Sequence, residues 1–244
     1  MHPHHYDELQ SLDLQYWWFR VRYNYAWRLV RSVAGPAPDL LLDVGAGTCG
    51  FLASVLRATS LPAERVLGIE WNERAAAVGR GRGVPVATAD LGKIAAAPLP
   101  RSPDAITMLD VLEHVEDPVA ALEDLFQVCR PGGCVVVLVP ALQRLWSEWD
   151  DLLGHHRRYD RPMLRRELEA AGWRPRSMRY LFAPLVIPAL AREWMTRRTV
   201  SRAEFPRVPR ALNGMLTRLF IAETYLPPLP FGTTLAAVAV KAGQ

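Results

Sequence analysis

The stretch "LLLDVGAGTCG", residues 40–50, places the strongest constraint on how this chain can fold. A short, continuous apolar run ending in glycine has the pattern of a strand buried on both faces, as in a parallel sheet. Glycine is the costliest residue to order, so Gly45, Gly47 and Gly50 must serve a backbone geometry that side chains would block. They form a turn from the strand into a helix, "GFLASVLRATS" (50–60). The alternation then repeats. "RVLGIEW" (65–71), "VPVATADL" (84–91), "PDAITMLDVLEHV" (103–115) and "CVVVLVP" (134–140) read as further strands. "NERAAAVGRGRG" and "DPVAALEDLFQVCRPGG" read as helices, the first opened by an Asn cap and each ended at glycine. Such units, joined by right-handed crossovers, predict a doubly wound α/β sheet with helices on both faces and a switch point beside the first strand.

The flanks are less regular. Residues 15–33 have helical spacing, with Trp18, Val21, Tyr25, Leu29 and Val33 on one face. After residue 150 the pattern loosens into a helix at 160–173, a strand at 174–182, a proline-punctuated helical insertion at 183–230 and a last strand at 232–242. With 244 residues the chain suits one domain: an N-terminal helical lid (1–38), a core (39–182), an insertion or cap (183–230) and a final strand (231–244).

Charge and composition narrow the function only slightly. The net charge of +4 is carried almost wholly by arginine, because Lys93 and Lys241 are the only lysines. A basic second half is compatible with nucleic acid, an anionic membrane or an anionic small molecule, and equally with a plain bias toward arginine. The N-terminus lacks a basic region leading into an apolar run, so no secretory signal is expected. The longest apolar stretch, residues 181–191, is too short for a bilayer span and holds two prolines. Cys49, Cys129 and Cys134 lack paired or metal-type spacing and read as reduced thiols of a cytoplasmic protein.

The chemistry of the glycine turn is more informative. Gly-x-Gly-x-x-Gly alone is a weak dinucleotide fingerprint. Here an acid, Asp43, heads the loop where it would repel a pyrophosphate, and "FLASVL" after it offers no basic residue. Asp43, Glu70, Asp90 and Asp110 stand at four successive strand ends, the rim where open α/β sheets bind ligands. Singly, Glu70 and Asp90 could merely cap helices. Together the four acids suit a cationic or neutral ligand.

The ordered motifs "LLDVGAGTCG", "VLGIEWN", "VATADL", "DAITMLDVLEHV" and "RPGGCVVVLVP" resemble the class I S-adenosylmethionine-dependent methyltransferases, closest to the branch carrying D-V-L-E-H and R-P-G-G. The match covers residues 39–175. The resemblance implies a Rossmann-like, mostly parallel seven-stranded sheet with an antiparallel last strand, and S-adenosylmethionine as cofactor. It implies that Gly45, Ala46, Gly47 and Gly50 approach the methionine part of the cofactor, with Asp43 near its positive end. Glu70 would accept from the ribose hydroxyls with Trp71 beside it, Asp90 from the adenine amino group, and Leu91 would cover the ring. Asp110 and Val111 would face the crevice beside the methyl group.

Methyl transfer to oxygen or nitrogen needs alignment and, for some acceptors, a base. Asp110, Glu113 and His114 in "LDVLEHVED" are candidates, although His114 could equally hold the start of the next helix. His155, His156, Arg158 and Tyr159 in "GHHRRYDR" are candidates for the acceptor side, against the plain reading of a surface loop. A metal held by Asp110, Glu113 and His114 is a further reading, since the stretch resembles the acid-x-x-Glu-His of some metal-using methyltransferases. Asp110 stands where those relatives usually have glutamate, and no metal is expected. Residues 16–20 form a lid or, more often for such aromatics, core; Trp18 is assigned to the core. The insertion is a pocket wall, a protomer interface or, least favoured, a contact with an anionic bilayer. The acceptor is expected to be a small molecule of biosynthetic or secondary metabolism. A nucleic-acid substrate is disfavoured because no Asn/Asp-Pro-Pro-Tyr stretch follows the fourth strand. A lipid-linked acceptor and a non-catalytic cofactor-binding role stay as alternatives, and a homodimer stays open.

Overall fold

A computed structural model describes residues 10–89, 94, 99–195 and 206–243, with the side chains of 191–195 left aside. Its centre is a seven-stranded sheet in the order β3-β2-β1-β4-β5-β7-β6. The strands are β1 (Leu41–Val44), β2 (Val66–Glu70), β3 (Val86–Thr88), β4 (Ala105–Leu109), β5 (Cys134–Pro140), β6 (Arg174–Leu181) and β7 (Thr234–Val240). β1 pairs in parallel with both β2 and β4, and β7 runs antiparallel to both its neighbours. The chain reverses its direction of travel across the sheet between β1 and β4, which is the expected switch point.

Period-2 alternation sorts the apolar strand residues onto two faces. Val136 and Leu138 of β5 pack on one side with Leu41, Phe51, Val55 and Phe220. Val135, Val137 and Val139 pack on the other with Leu42, Ile106, Leu122, Leu164 and Trp173. Helices α1 (Trp17–Ala34) and α2 (Gly50–Ala58) supply the first layer; α4 (Pro118–Val128) and α6 (Arg161–Ala170) supply the second, with α3 (Glu73–Gly81) between β2 and β3 and the short α5 (Glu148–Leu153) after β5. Local chemistry starts these helices where the sequence suggests. The Asn72, Asp117 and Asp160 side chains each accept a backbone N–H of the first turn. Burial pushes the thiols of Cys49, Cys129 and Cys134 up to about 12, so these free cysteines are protonated and inert at neutral pH.

The insertion yields α7 (Val186–Met195) and α8 (Arg210–Glu223). α8 seats on α1: Phe220 stacks on Trp17 at 5.1 Å, and Asn213 accepts the Trp17 backbone N–H at 2.8 Å. Trp17 is the more deeply buried of the two adjacent tryptophans, while Trp18 is half-buried and packs against the same core, its ring 6.5 Å from that of Phe182. Among the described residues no helix is long and apolar enough to cross a membrane.

Candidate active site

The turn after β1 is held by backbone hydrogen bonds from its neighbour strand. The Gly45 and Ala46 N–H groups both donate to the Ile69 carbonyl of β2, at 2.9 and 3.0 Å. Glu70, the next residue, clamps the loop: Oε2 accepts from Gly47 N–H at 2.8 Å and Oε1 from Asn72 N–H at 2.9 Å. Burial raises its pKa, while the N–H groups of Asn72, Gly47 and Trp71 oppose that rise. Gly45 and Gly47 have φ of +69° and +54°. A Cβ on Gly45 would stand 2.5 Å from Val111 Cγ2, so Val111, just after β4, forms the opposite wall. A Cβ on Gly47 would meet nothing within 4 Å, which leaves open space over the loop.

Two expected positions differ from their sequence reading. A Cβ on Gly50 would collide with Asp13 Oδ2 and Tyr23 Oη, so its crowding comes from the N-terminal segment and not from a ligand crevice. Asp43 lies inside β1, not at its tip. Its carboxylate reaches sideways to accept the Thr107 hydroxyl at 2.6 Å, and burial, helped by the charge on Glu70, pushes its pKa up to about 7. Trp71 is 56% exposed. Asp90 and Leu91 lie outside the described residues.

Asp110 follows β4 with φ of +56°, and its N–H donates to Leu138 of β5 at 2.9 Å. Its carboxylate is ion-paired with Arg22 of α1. Arg22 is 2% exposed and its guanidinium lies over the Trp18 ring at 3.9 Å. Cys49, Asp110, Leu142 and Phe182 are the described non-glycine residues with positive φ, and they fall after β1, β4, β5 and β6, all on the carboxyl edge. Strained backbone of this kind persists where the surroundings over-determine it, typically at functional sites.

Beyond Asp110 a single 3₁₀ turn, Leu112–His114, carries Glu113 into the interior. Glu113 is fully buried, and neither carboxylate oxygen has a hydrogen-bond partner among the described residues. Burial, then the neighbouring Asp110, holds its pKa well above the ordinary range. His114 Nδ1 lies 3.2 Å from the Gly154 carbonyl, and burial followed by His155 lowers its pKa to about 4. The two rings meet edge to face at 4.8 Å. His155 Nδ1 is 2.8 Å from Asp150 Oδ1. Asp150 also receives Arg158 through Nε and Nη2, at 2.8 and 2.9 Å; burial would raise its pKa, but His155, Arg158 and Ser147 hold it down at about 2. Arg158 is thus committed to Asp150.

The remaining acceptor-side candidates separate. His156 is exposed, with only its backbone N–H engaged, on the Glu113 carbonyl at 2.8 Å. Tyr159 is fully buried in the core and its hydroxyl donates to the Leu112 carbonyl at 3.4 Å, so it does not line the crevice. Three residues of the site have no signature in the sequence. Arg22 and Asp150 hold Asp110 and His155, and Asp13 ties Thr48 to Arg82 beside the glycine turn, at 2.5 Å to each. Only an acid that is buried against the trend for its type would have marked Asp13 and Asp150, and burial is not legible locally.

A family model described as "Methyltransferase domain" matches residues 17–177. A protein of Mycolicibacterium smegmatis named as a probable S-adenosylmethionine-dependent methyltransferase is 31% identical over 133 residues, covering 54% of this chain and 49% of that protein. An uncharacterized 37.1 kDa protein in transposon TN4556 of Streptomyces fradiae is 35% identical over 114 residues, covering 46% of this chain and 33% of that one. The chain thus spans a third to a half of the length of these relatives. The structure of a geranyl diphosphate methyltransferase in complex with its methyl donor superposes with a TM-score of 0.61 at 13% identity, covering 91% of this chain and 85% of that one; at such identity the likeness is one of fold. With the glycine turn, its carboxylate clamp and the family match over most of the chain, this protein belongs to the class I S-adenosylmethionine-dependent methyltransferases.

Proposed function

We propose that the protein transfers a methyl group from S-adenosylmethionine to oxygen or nitrogen of a small-molecule acceptor in cytoplasmic biosynthetic or secondary metabolism. The observation that carries this reading is the Glu70 clamp: one buried carboxylate fixes the Gly47 N–H and still has lone pairs for two ligand hydroxyls. The residues fit the cofactor. The open space over Gly47 admits a ligand against bare backbone, and the Glu70 carboxylate beside it presents acceptors to that space. When bound, the cofactor supplies an activated methyl group on a positively charged sulfur. The chain has then to orient the acceptor and exclude water. Gly45, Ala46, Gly47, Glu70 and Val111 would hold the donor. Asp110, His114 and His155 are the groups on the acceptor side, with Asp110 positioned by Arg22.

Isothermal titration with S-adenosylhomocysteine tests the first part. Wild-type protein should bind one equivalent, and Glu70→Ala should lose about 10- to 100-fold in affinity, the cost of removing hydrogen bonds to a charged group. Unchanged affinity in Glu70→Ala would remove the basis of the assignment.

A further inference from the structure

We propose that Glu113, His114 and His155 form a binding site for one divalent transition-metal ion at the acceptor side of the carboxyl edge. Their ligating atoms lie within 4.8 Å of one another. Closeness alone would not make a site; orientation and an unmet need do.

Each histidine has one ring nitrogen already engaged. A backbone carbonyl can only accept, so His114 Nδ1 donates to Gly154, 3.2 Å away. His155 Nδ1 donates to the Asp150 carboxylate at 2.8 Å. The lone pair of each ring is thereby left on Nε2. An acceptor behind the far ring nitrogen is the arrangement that fixes the tautomer and aim of metal-bound imidazoles. Asp150 cannot swing away, because Arg158 grips it with two nitrogens and the Ser147 N–H donates to it at 2.9 Å.

Glu113 supplies the need. Both its oxygens are buried with no hydrogen-bond partner among the described residues. A fully desolvated carboxyl group without partners costs stability that native interiors almost always avoid. A cation held between Glu113 and the two imidazoles would satisfy it. The backbone has already drawn the two segments together: the N–H of His156 donates to the Glu113 carbonyl at 2.8 Å, and Gly154 meets His114. The site is therefore assembled by tertiary structure across some forty residues of sequence, not by a local motif.

Asp110 is excluded from the ligand set because Arg22 holds its carboxylate. The proposed set differs from the Asp110–Glu113–His114 set suggested by the sequence, with His155 in place of Asp110. Two imidazoles and one carboxylate favour zinc, manganese or iron(II) over calcium or magnesium, and three protein ligands leave coordination positions open. An oxygen or nitrogen of the acceptor is the natural occupant of those positions, a role that rests on the methyl-transfer reading, whereas metal binding itself does not.

The test uses the full chain, stripped with chelator and titrated with Zn²⁺ and separately Mn²⁺ by calorimetry, with bound metal counted by plasma mass spectrometry after dialysis. One equivalent of Zn²⁺ or Mn²⁺ per chain is expected. Glu113→Gln and His155→Ala should each weaken it at least 100-fold, while Asp110→Asn, which removes a neighbouring charge but no ligand, should weaken it less than 10-fold. S-adenosylhomocysteine titration of Glu113→Gln confirms that the fold persists and reads the cofactor site independently. Retention of no cation tighter than millimolar, equal affinity in Glu113→Gln and His155→Ala, or a 100-fold loss in Asp110→Asn would each overturn the assignment.

Discussion

The two halves of the carboxyl edge are built on different length scales. Around the glycine turn, Glu70 reaches back 23 residues to Gly47, and nearly every polar group is met by backbone. Around β4, Arg22 reaches 88 residues to Asp110, and polar atoms on Arg22 and Glu113 are left without partners among the described residues. The first half is mostly local to β1, β2 and the turn between β1 and α2, with Asp13 and Tyr23 packed only against its Gly50 end. The second exists only once α1 has docked, and α1 is held in turn by α8. The donor side should therefore tolerate injury to α1, and the acceptor side should not.

Arg22→Met is the sharpest way to break that comparison. It leaves Asp110 beside Glu113 without the buried guanidinium, and breaking a buried pair from one side costs about 3–5 kcal/mol. Because the Asp110 side chain is 33% exposed, the low end, about 3 kcal/mol, is expected in urea unfolding. Affinity for S-adenosylhomocysteine should change less than threefold. A parallel collapse of cofactor affinity would mean that the two halves are not separable.

Gly45→Ala attacks the other half. The new Cβ meets Val111 at 2.5 Å in a left-handed backbone, and overpacking with αL strain together cost about 2–3 kcal/mol. Here cofactor affinity should fall with stability. Adding Val111→Ala removes the clash but not the strain, so about half of the loss should return in the double variant. Full recovery would show that the left-handed conformation is not needed.

The same contrast explains what could be read from the sequence. Glycines at fixed offsets after an apolar run announce a turn because the constraint is steric and local, and Glu70 is placed by the end of its own strand. The sheet order follows, since βαβ handedness leaves few alternatives. Arg22, Asp13 and Asp150 are invisible because nothing in their neighbours foretells burial. Gly50 looks like part of the fingerprint, yet Asp13 and Tyr23 supply its crowding from the N-terminal segment. Within "GHHRRYDR" the chain is irregular, so no period says which side chains turn inward. His155 and Tyr159 do, and His156 does not.

Asp43 gives the donor side a pH signature. Its folded pKa of about 7 lies above the ordinary value of 3.8, so the native state holds the proton more tightly than the unfolded state. Stability from this group is fully present below pH 4 and is lost as pH rises to about 7, by roughly 4 kcal/mol. Asp43→Asn should match wild type near pH 4 and exceed it by about that amount above pH 7. Urea titrations across this range decide it; parallel curves would mean Asp43 is ionised throughout.

The smallest effect calibrates the largest. Arg165→Ala deletes the same positive charge as Arg22→Met, from an i,i+4 pair with Glu169 in which both side chains are about half exposed. Water already screens that pair, and holding two long side chains together offsets much of the attraction, so stability should change by at most about 0.5 kcal/mol. If Arg165→Ala cost as much as Arg22→Met, loss of net positive charge would explain both, and the claim that burial of Arg22 against Asp110 organises the acceptor side would fail. A difference of several-fold between the two assigns the effect to burial, because residue type and charge removed are the same in each.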